Sequence, residues 1–364
     1  RLVEKYKNSS GFEILHQSRN LLVQGDSDVD VIKQGETTRA VFMGRLIGKQ
    51  DQQDELDRID IGDPKTRRTL STQPIETSMK ELEGRFILLK INPDESFKIA
   101  CDIFNQIDLY YQKYKDGVVF SSDLDMLPFK NDTVKYDQAA IIHTLYIYGF
   151  RPPKRHTLYQ KVKRLGVGEI AIWHEKRLKI INIEPYIFFT KDYGKEDLNR
   201  YSDLLLDAVD KRSSSNGNIV YLSSGWDSTS ILACLVKLHG PKKVRAVIGR
   251  MNFSKRFGIC NPFEIKRAKA IAEYFGVKLE IVEFDYWKRG PEITEKHQDL
   301  MRSQMMTGMA FYQWIDIADY ISKTYNGEAA FSGEISDGVH NLGFSQYATI
   351  IDHPVFDFRE HSDK

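Results

Sequence analysis

Between residues 218 and 240 the chain changes periodicity within a few residues, and this junction constrains the fold more than any other stretch. Ile219, Val220, Tyr221 and Leu222 form a short apolar run of the kind that makes a buried strand. From Thr229 onward, Ser230 to Leu238 read as a helix that stops at Gly240. Between them lie Ser223, Ser224, Gly225, Trp226, Asp227 and Ser228, small hydroxyl residues joined by one glycine and one carboxylate. A tight turn that leaves a strand and opens onto a helix N-terminus exposes backbone N–H groups beside the positive end of the helix dipole. Such a turn suits a phosphate. The spacing and the Lys-Ser/Thr ending of a Walker A loop are absent.

The same rhythm continues downstream. Residues 198–209 carry a helical pattern, and 244–248 form a second strand candidate. Asn261, Pro262 and Glu264 combine a cap residue, a proline at the first helical position and an acid three residues past the cap, which predicts a capping box. Ile265, Ala268, Ile271, Ala272 and Phe275 give that helix one apolar face, and Gly276 ends it. Residues 278–284 make a third strand. A strand–helix series with short connections predicts a parallel sheet covered on both faces, with ligands at the carboxyl ends of its strands.

Residues 1–190 read mainly as strands and loops. Strands are expected at 41–43, 85–91 and 117–120, and a hairpin joins 87–91 to 97–101 through Asp94 and Glu95. Residues 137–148 have helical spacing, and 168–183 return to strand character. Residues 51–74, rich in charge, Gly, Pro and Thr, predict a mobile surface loop.

A chain of 364 residues is long enough for two domains. Lys and Arg number 52 against 51 Asp and Glu, so bulk charge gives no reason to expect a nucleic-acid partner. No apolar run is long enough to span a membrane, and no secretory signal opens the sequence. Cys101, Cys234 and Cys260 are widely spaced, which suits a reducing compartment and a cytoplasmic protein; ordinary structural roles are favoured over a nucleophilic Cys260.

A second strand-to-loop junction runs from Ala329 through Ser332 and Gly333 to Glu334 and Asp337. Two carboxylates three residues apart in a loop or first helical turn can converge on one cation, and Mg²⁺ is commonly held by one or two carboxylates together with phosphate oxygens.

The first junction resembles the Ser-Gly-Gly-x-Asp-Ser pyrophosphate loop of the ATP pyrophosphatases, with Ser223, Gly225, Asp227 and Ser228 in register and Ser224 where that family has Gly. The second resembles the Ser-Gly-Glu-Gly-x-Asp segment of asparagine synthetase-like enzymes, with Ile335 and Gly338 as departures. Residues 82–86, 102–106, 109–111 and 119–123 are similar to the later half of the glutaminase domain of that family, and 157–159 with 165–169 to the stretch joining its two domains. Within that family the pattern resembles asparagine synthetase and β-lactam synthetase.

The resemblance implies an α/β protein in two parts. Residues 1–190 would be an Ntn-hydrolase-like α+β sandwich, and 195–364 a parallel-sheet, adenine nucleotide α-hydrolase-like PP-loop domain. It implies ATP and Mg²⁺ as cofactors. Ser223, Ser224, Gly225, Asp227, Ser228, Ser332 and Gly333 would hold the phosphates, and Val247, Ile248 and Gly249 would read adenine through their backbone. Asp227, Glu334 and Asp337 would be catalytic, with Asp227 and Asp337 on the metal. Glu264 matches an acidic position of the family but is fully explained as a cap.

Glutaminase chemistry of this type needs a free N-terminal Cys. Residue 1 here is Arg and the first Cys is Cys101, so the front domain is expected to lack it unless a leading segment is missing. The stretch after Asp337 is short for the family, so the synthetase domain is expected to be trimmed or incomplete at its end. His340, His353 and His361 in that stretch have irregular spacing and read as surface histidines. The expected activity is an ATP-dependent, AMP-forming amide ligase that adenylates a small-molecule or peptide carboxylate and passes it to an amine donor, with a homodimer compatible with this reading. The competing expectations are a nucleotide-free binding or scaffold protein on the same fold, and a different pyrophosphatase chemistry.

Overall fold

The computed structural model describes residues 12–26, 28–47, 61–127, 135–148, 152, 155–183, 194–325 and 328–333. These fall into two compact units that meet in sequence between residues 183 and 194.

In the first unit the chain begins with a hairpin of β1 (Glu13–Gln17) and β2 (Leu22–Gly25), then β3 (Val29–Gln34) and β4 (Thr37–Ile47). Helices α1 (Pro64–Thr72) and α2 (Ile75–Glu81) precede β5 (Glu83–Ile91), β6 (Phe97–Cys101), β7 (Tyr110–Tyr114) and β8 (Gly117–Ser121). After helix α3 (Gln138–Ile142) and a π-helical turn over His143–Tyr148 come β9 (Val162–Arg164), β10 (Glu169–His174) and β11 (Arg177–Asn182). A six-stranded antiparallel sheet runs in the order β11-β10-β6-β5-β4-β3, and a three-stranded sheet in the order β8-β7-β9.

Alternation along the strands divides the apolar side chains between two layers. Ala40, Phe42, Phe86 and Leu88 face Leu70, Ile75 and Met79 of the helices. Val41, Ile87, Leu89 and Ile99 face the other way, against Tyr111, Val118 and Phe120 of the smaller sheet. The expected loop over 51–74 is corrected in part, because residues 64–72 are helical. Asp63 caps this helix by accepting from the Thr66 amide at 2.8 Å, Pro64 occupies its start, and Leu70 is fully buried.

The second unit comprises α4 (Lys195–Asp210), β12 (Asn218–Tyr221), α5 (Trp226–His239), β13 (Val244–Ser254), the short β14 (Gly258–Ile259), α6 (Pro262–Phe275), β15 (Lys278–Asp285), α7 (Tyr286–Ser303), α8 (Met309–Thr324) and β16 (Ala329–Ser332). Strands β15, β13, β12 and β16 lie side by side and parallel, and β14 folds back antiparallel on the extended end of β13. On one face Val220, Leu222, Ala246 and Ile248 pack with Val209, Leu232, Leu235 and Ala268 of α4, α5 and α6. On the other, Ile219 and Val247 meet Ile317 and Ile321 of α8. This is the mixed α/β, doubly covered arrangement that uninterrupted apolar strands require.

Strand order places the site. The chain moves outward from β12 to β13 and β15, then returns to add β16 on the opposite edge of β12. The order therefore reverses between β12 and β16. At such a reversal the connections leave on opposite faces of the sheet, and a crevice opens at the carboxyl ends of the two strands.

Candidate phosphate-binding site

The crevice is walled by the turn that follows β12 and by Gly333, the residue after β16. Tyr221 and Ser332 are register partners at the ends of these strands. Leu222 continues the ladder by donating its N–H to the Val247 carbonyl at 2.8 Å, and then the chain turns away. Ser224 makes the turn in the left-handed region at φ 65° with its side chain buried. A residue with a Cβ is strained there by about 1–2 kcal/mol, and a glycine is not. Ser224 thus adopts a conformation that favours Gly, the residue the resembled motif has at this position.

Helix α5 starts at Trp226, three residues before the sequence expectation of Thr229, so the loop's second half is itself the helix's first turn. Its N-cap is Gly225, and no side chain caps it. The first-turn amides are left without a partner from within the helix and lie at the positive end of the dipole. Asp227 stands in this turn, half-buried and without a hydrogen bond or ion pair among the described residues. The buried Ser228 hydroxyl lies 3.1 Å from that of Ser223, and Thr229 returns its own hydroxyl to the Gly225 carbonyl at 2.7 Å. Trp226 is 89 % exposed and serves no packing role in this unit.

Gly333 closes the other wall. A Cβ built on it would lie 2.7 Å from the Ser228 nitrogen and 3.1 Å from the Asp227 Cβ. The two sequence motifs, about a hundred residues apart, are therefore in van der Waals contact through backbone, and the contact exists because residue 333 lacks a side chain. Glu334 and Asp337 lie outside the described residues, as do His340, His353 and His361.

Arg267 joins the site from α6. It donates to the Ser224 carbonyl at 3.1 Å and lies over the Phe263 ring, with 5.9 Å between guanidinium and ring centre. This bond holds the strained turn and brings a permanent positive charge beside it. Nothing in the sequence marks Arg267, because it sits in the middle of an amphipathic helix whose arginines and lysines all read as solvated.

The capping box predicted at Asn261 is corrected. Asn261 does occupy the N-cap of α6 with Pro262 after it, but its side chain makes no cap bond. It reaches instead to β13, donating to the Gly249 carbonyl at 2.7 Å and accepting from the Met251 amide at 3.1 Å. Competition between the helix's own amides and an interrupted ladder edge is won by the edge, where β12 has ended and β13 continues unpaired on that side. Glu264 is exposed and takes no part in a cap. Val247 and Ile248 are buried in the sheet, and the carbonyls of Val247 and Gly249 are already engaged by Leu222 and Asn261. A Cβ on Gly249 would lie 2.6 Å from the Cδ1 tip of Ile317 on α8, which would have to shift to make room.

The donor set fits a phosphate chain: uncapped amides, two clustered hydroxyls, a guanidinium on the turn and a glycine wall. For a divalent cation the described residues offer Asp227. No group of three or more His, Cys, Asp or Glu among them is placed to hold a metal. One carboxylate suits Mg²⁺ only in the mode where phosphate oxygens and water complete its shell.

No protein-family model matches the chain, and no curated protein matches it. Among solved structures, the ADP complex of glutamine-dependent NAD+ synthetase from Acinetobacter baumannii is similar at 19% identity and a TM-score of 0.30. The aligned part covers 48% of this chain and 31% of that one. The likeness is distant, and the chemistry of the site rests on its own residues. No helix among the described residues is long and apolar enough to cross a membrane.

Proposed function

We propose that the second unit binds ATP at the β12–α5 turn and that the protein is an ATP-dependent, AMP-forming amide ligase. The observation that carries this reading is the uncapped N-terminus of α5 at the point where strand order reverses, walled by Gly333. The amides of the first turn and the Ser223 hydroxyl bind the terminal phosphates, and Arg267 adds charge beside them. The same groups stabilise the negative charge that builds on pyrophosphate as it leaves, and they need no rearrangement to do so.

The reaction class follows from the resemblance of the two loops to those of asparagine synthetase-like enzymes. A carboxylate oxygen of the substrate attacks the α-phosphorus of ATP, and the bond to pyrophosphate breaks. An amine then attacks the activated carbonyl carbon, forming the amide and releasing AMP. Mg²⁺, when bound, supplies charge neutralisation at the phosphates, with Asp227 as its ligand or as the group that orients the turn; Glu334 and Asp337 are proposed to complete that site. Carboxylate-dependent release of pyrophosphate, screened over amino acids and short peptides, tests the reading. Release that requires both a carboxylate and Asp227 supports it. ATP binding without pyrophosphate release for any carboxylate–amine pair would favour a nucleotide-binding protein without ligase activity.

A further inference from the structure

Helix α7 contains Pro291 in its interior. Proline has no N–H, so the Trp287 carbonyl one turn earlier lacks its usual helical donor. That carbonyl belongs to a residue lining a shallow, solvent-open pocket of about 660 Å³ beside the carboxyl ends of β13 and β15. Phe253, Tyr286 and Trp287 supply aromatic walls. Tyr286 is fixed from two sides: its hydroxyl pairs with Thr294 Oγ1 at 2.9 Å, and its ring lies against Gly290, where a Cβ would come within 3.2 Å of it.

The charge of this cavity is one-sided. Among the described residues Glu295 is its only charged lining residue, exposed and without a partner. The basic residues of the same helix are all taken by carboxylates: Lys288 by Asp285 at 3.6 Å, Arg289 by Glu292 at 2.8 Å, Lys296 by Asp316 and Asp319 at 3.0 and 2.7 Å, and Arg302 by Asp299 at 3.5 Å. Among the described residues no basic side chain of this helix is paired with Glu295. Aromatic side chains, a carboxylate without an ion pair among the described residues and a carbonyl deprived of its helical donor together suit a cation that carries N–H donors.

We infer that the α7 cavity is a binding site for an aliphatic primary ammonium group. The ammonium donates to Glu295 and to the Trp287 carbonyl, and its alkyl chain lies on the rings of Tyr286 and Phe253. This preference is independent of what the β12–α5 turn binds.

The test is a titration of the full chain with n-butylammonium, n-butanol and tetramethylammonium at fixed ionic strength, followed by tryptophan fluorescence. Trp287→Phe serves as the control that removes the reporting ring. Saturable quenching by n-butylammonium is expected, weaker by about tenfold or more with n-butanol, which lacks the charge, and with tetramethylammonium, which lacks donors. Glu295→Gln, an exposed and conservative change, is expected to weaken n-butylammonium about tenfold. Pro291→Ala restores the helical donor to the Trp287 carbonyl and is expected to weaken n-butylammonium while leaving tetramethylammonium unchanged. Equal responses to n-butylammonium and n-butanol, no saturable response, or n-butylammonium binding unaffected by Glu295→Gln would overturn the inference.

Discussion

The Cα of Gly333 lies against the peptide joining Asp227 to Ser228, so closely that a methyl group on it would sit 2.7 Å from the Ser228 nitrogen. This single approach joins the turn after β12 to the segment after β16 and sets the width of the crevice between them. Gly333→Ala must push the two walls apart. Overpacking against backbone costs about 1–3 kcal/mol, and here the displaced atoms are the amides assigned to phosphate. The variant is expected to lose ATP-analogue affinity by more than tenfold, seen by calorimetry, with a fall in thermal midpoint. Unchanged affinity would mean that the Ser228 amide does not serve the nucleotide.

Ser224 gives a prediction of opposite sign. At φ 65° it is held in a conformation natural to glycine. Ser224→Gly removes the steric strain and returns part of the gain as chain entropy, for a net stabilisation of about 0.5 kcal/mol. Ser224→Val, β-branched at the same angle and in a buried position, is expected to lose about 2 kcal/mol. Urea unfolding of the three proteins gives the order Gly, Ser, Val; any other order contradicts the left-handed turn.

Arg267 binds the turn through the Ser224 carbonyl and sets its charge beside the turn proposed to hold phosphates. Arg267→Ala is expected to weaken the ATP analogue about tenfold, and adenosine little, because the lost interaction is with charge. Equal losses for both ligands would make Arg267 a support of the fold alone.

Much of this site was legible before the structure, and the reasons are local. The run from Ile219 to Leu222 is short, apolar and bounded by small polar residues, so its strand and turn could be read directly. The α6 helix was also legible, because its apolar face recurs with helical period and ends on Gly276. What escaped depends on partners distant in sequence. Asn261 has the identity and position of a cap, but an unpaired edge of β13 takes its side chain. Arg267 has no motif and acquires its role only from the turn packed beneath it. Gly333 could be named as part of a loop, while the contact that makes it necessary belongs to Ser228. Helix α1 was hidden in a stretch rich in turn-forming residues, although Asp63 and Pro64 are a good helix start. Helix α7 carries a proline in its middle, which argues against a helix by propensity; the packing of Ile293 and Met301, both buried, overrides it.

In the first unit Lys90 is half-buried on β5, cross-strand from Lys98, and donates to the Gln73 carbonyl. Burial lowers its pKa to about 8. Below that value the folded state holds a charge that burial disfavours. Above the ordinary lysine value of about 10.4 neither state is charged, so the contribution of Lys90 to stability rises with pH between the two. Lys90→Met is expected to stabilise the protein by about 1 kcal/mol at pH 7, a figure reduced for the solvent that still screens the group, and the gain should fade toward pH 10. Urea unfolding at both pH values checks this, and an equal gain at both would exclude a titrating Lys90.

The central claim is that the α5 N-terminus, with Asp227 in its first turn, is a nucleotide site. Calorimetric titration of the wild-type protein and of Asp227→Ala with a non-hydrolysable ATP analogue and Mg²⁺ tests it directly. The account predicts saturable binding by the wild type that requires Mg²⁺ and is lost in Asp227→Ala, while both proteins unfold with the same cooperativity. No binding by the wild type, or equal binding by the two proteins, would contradict it.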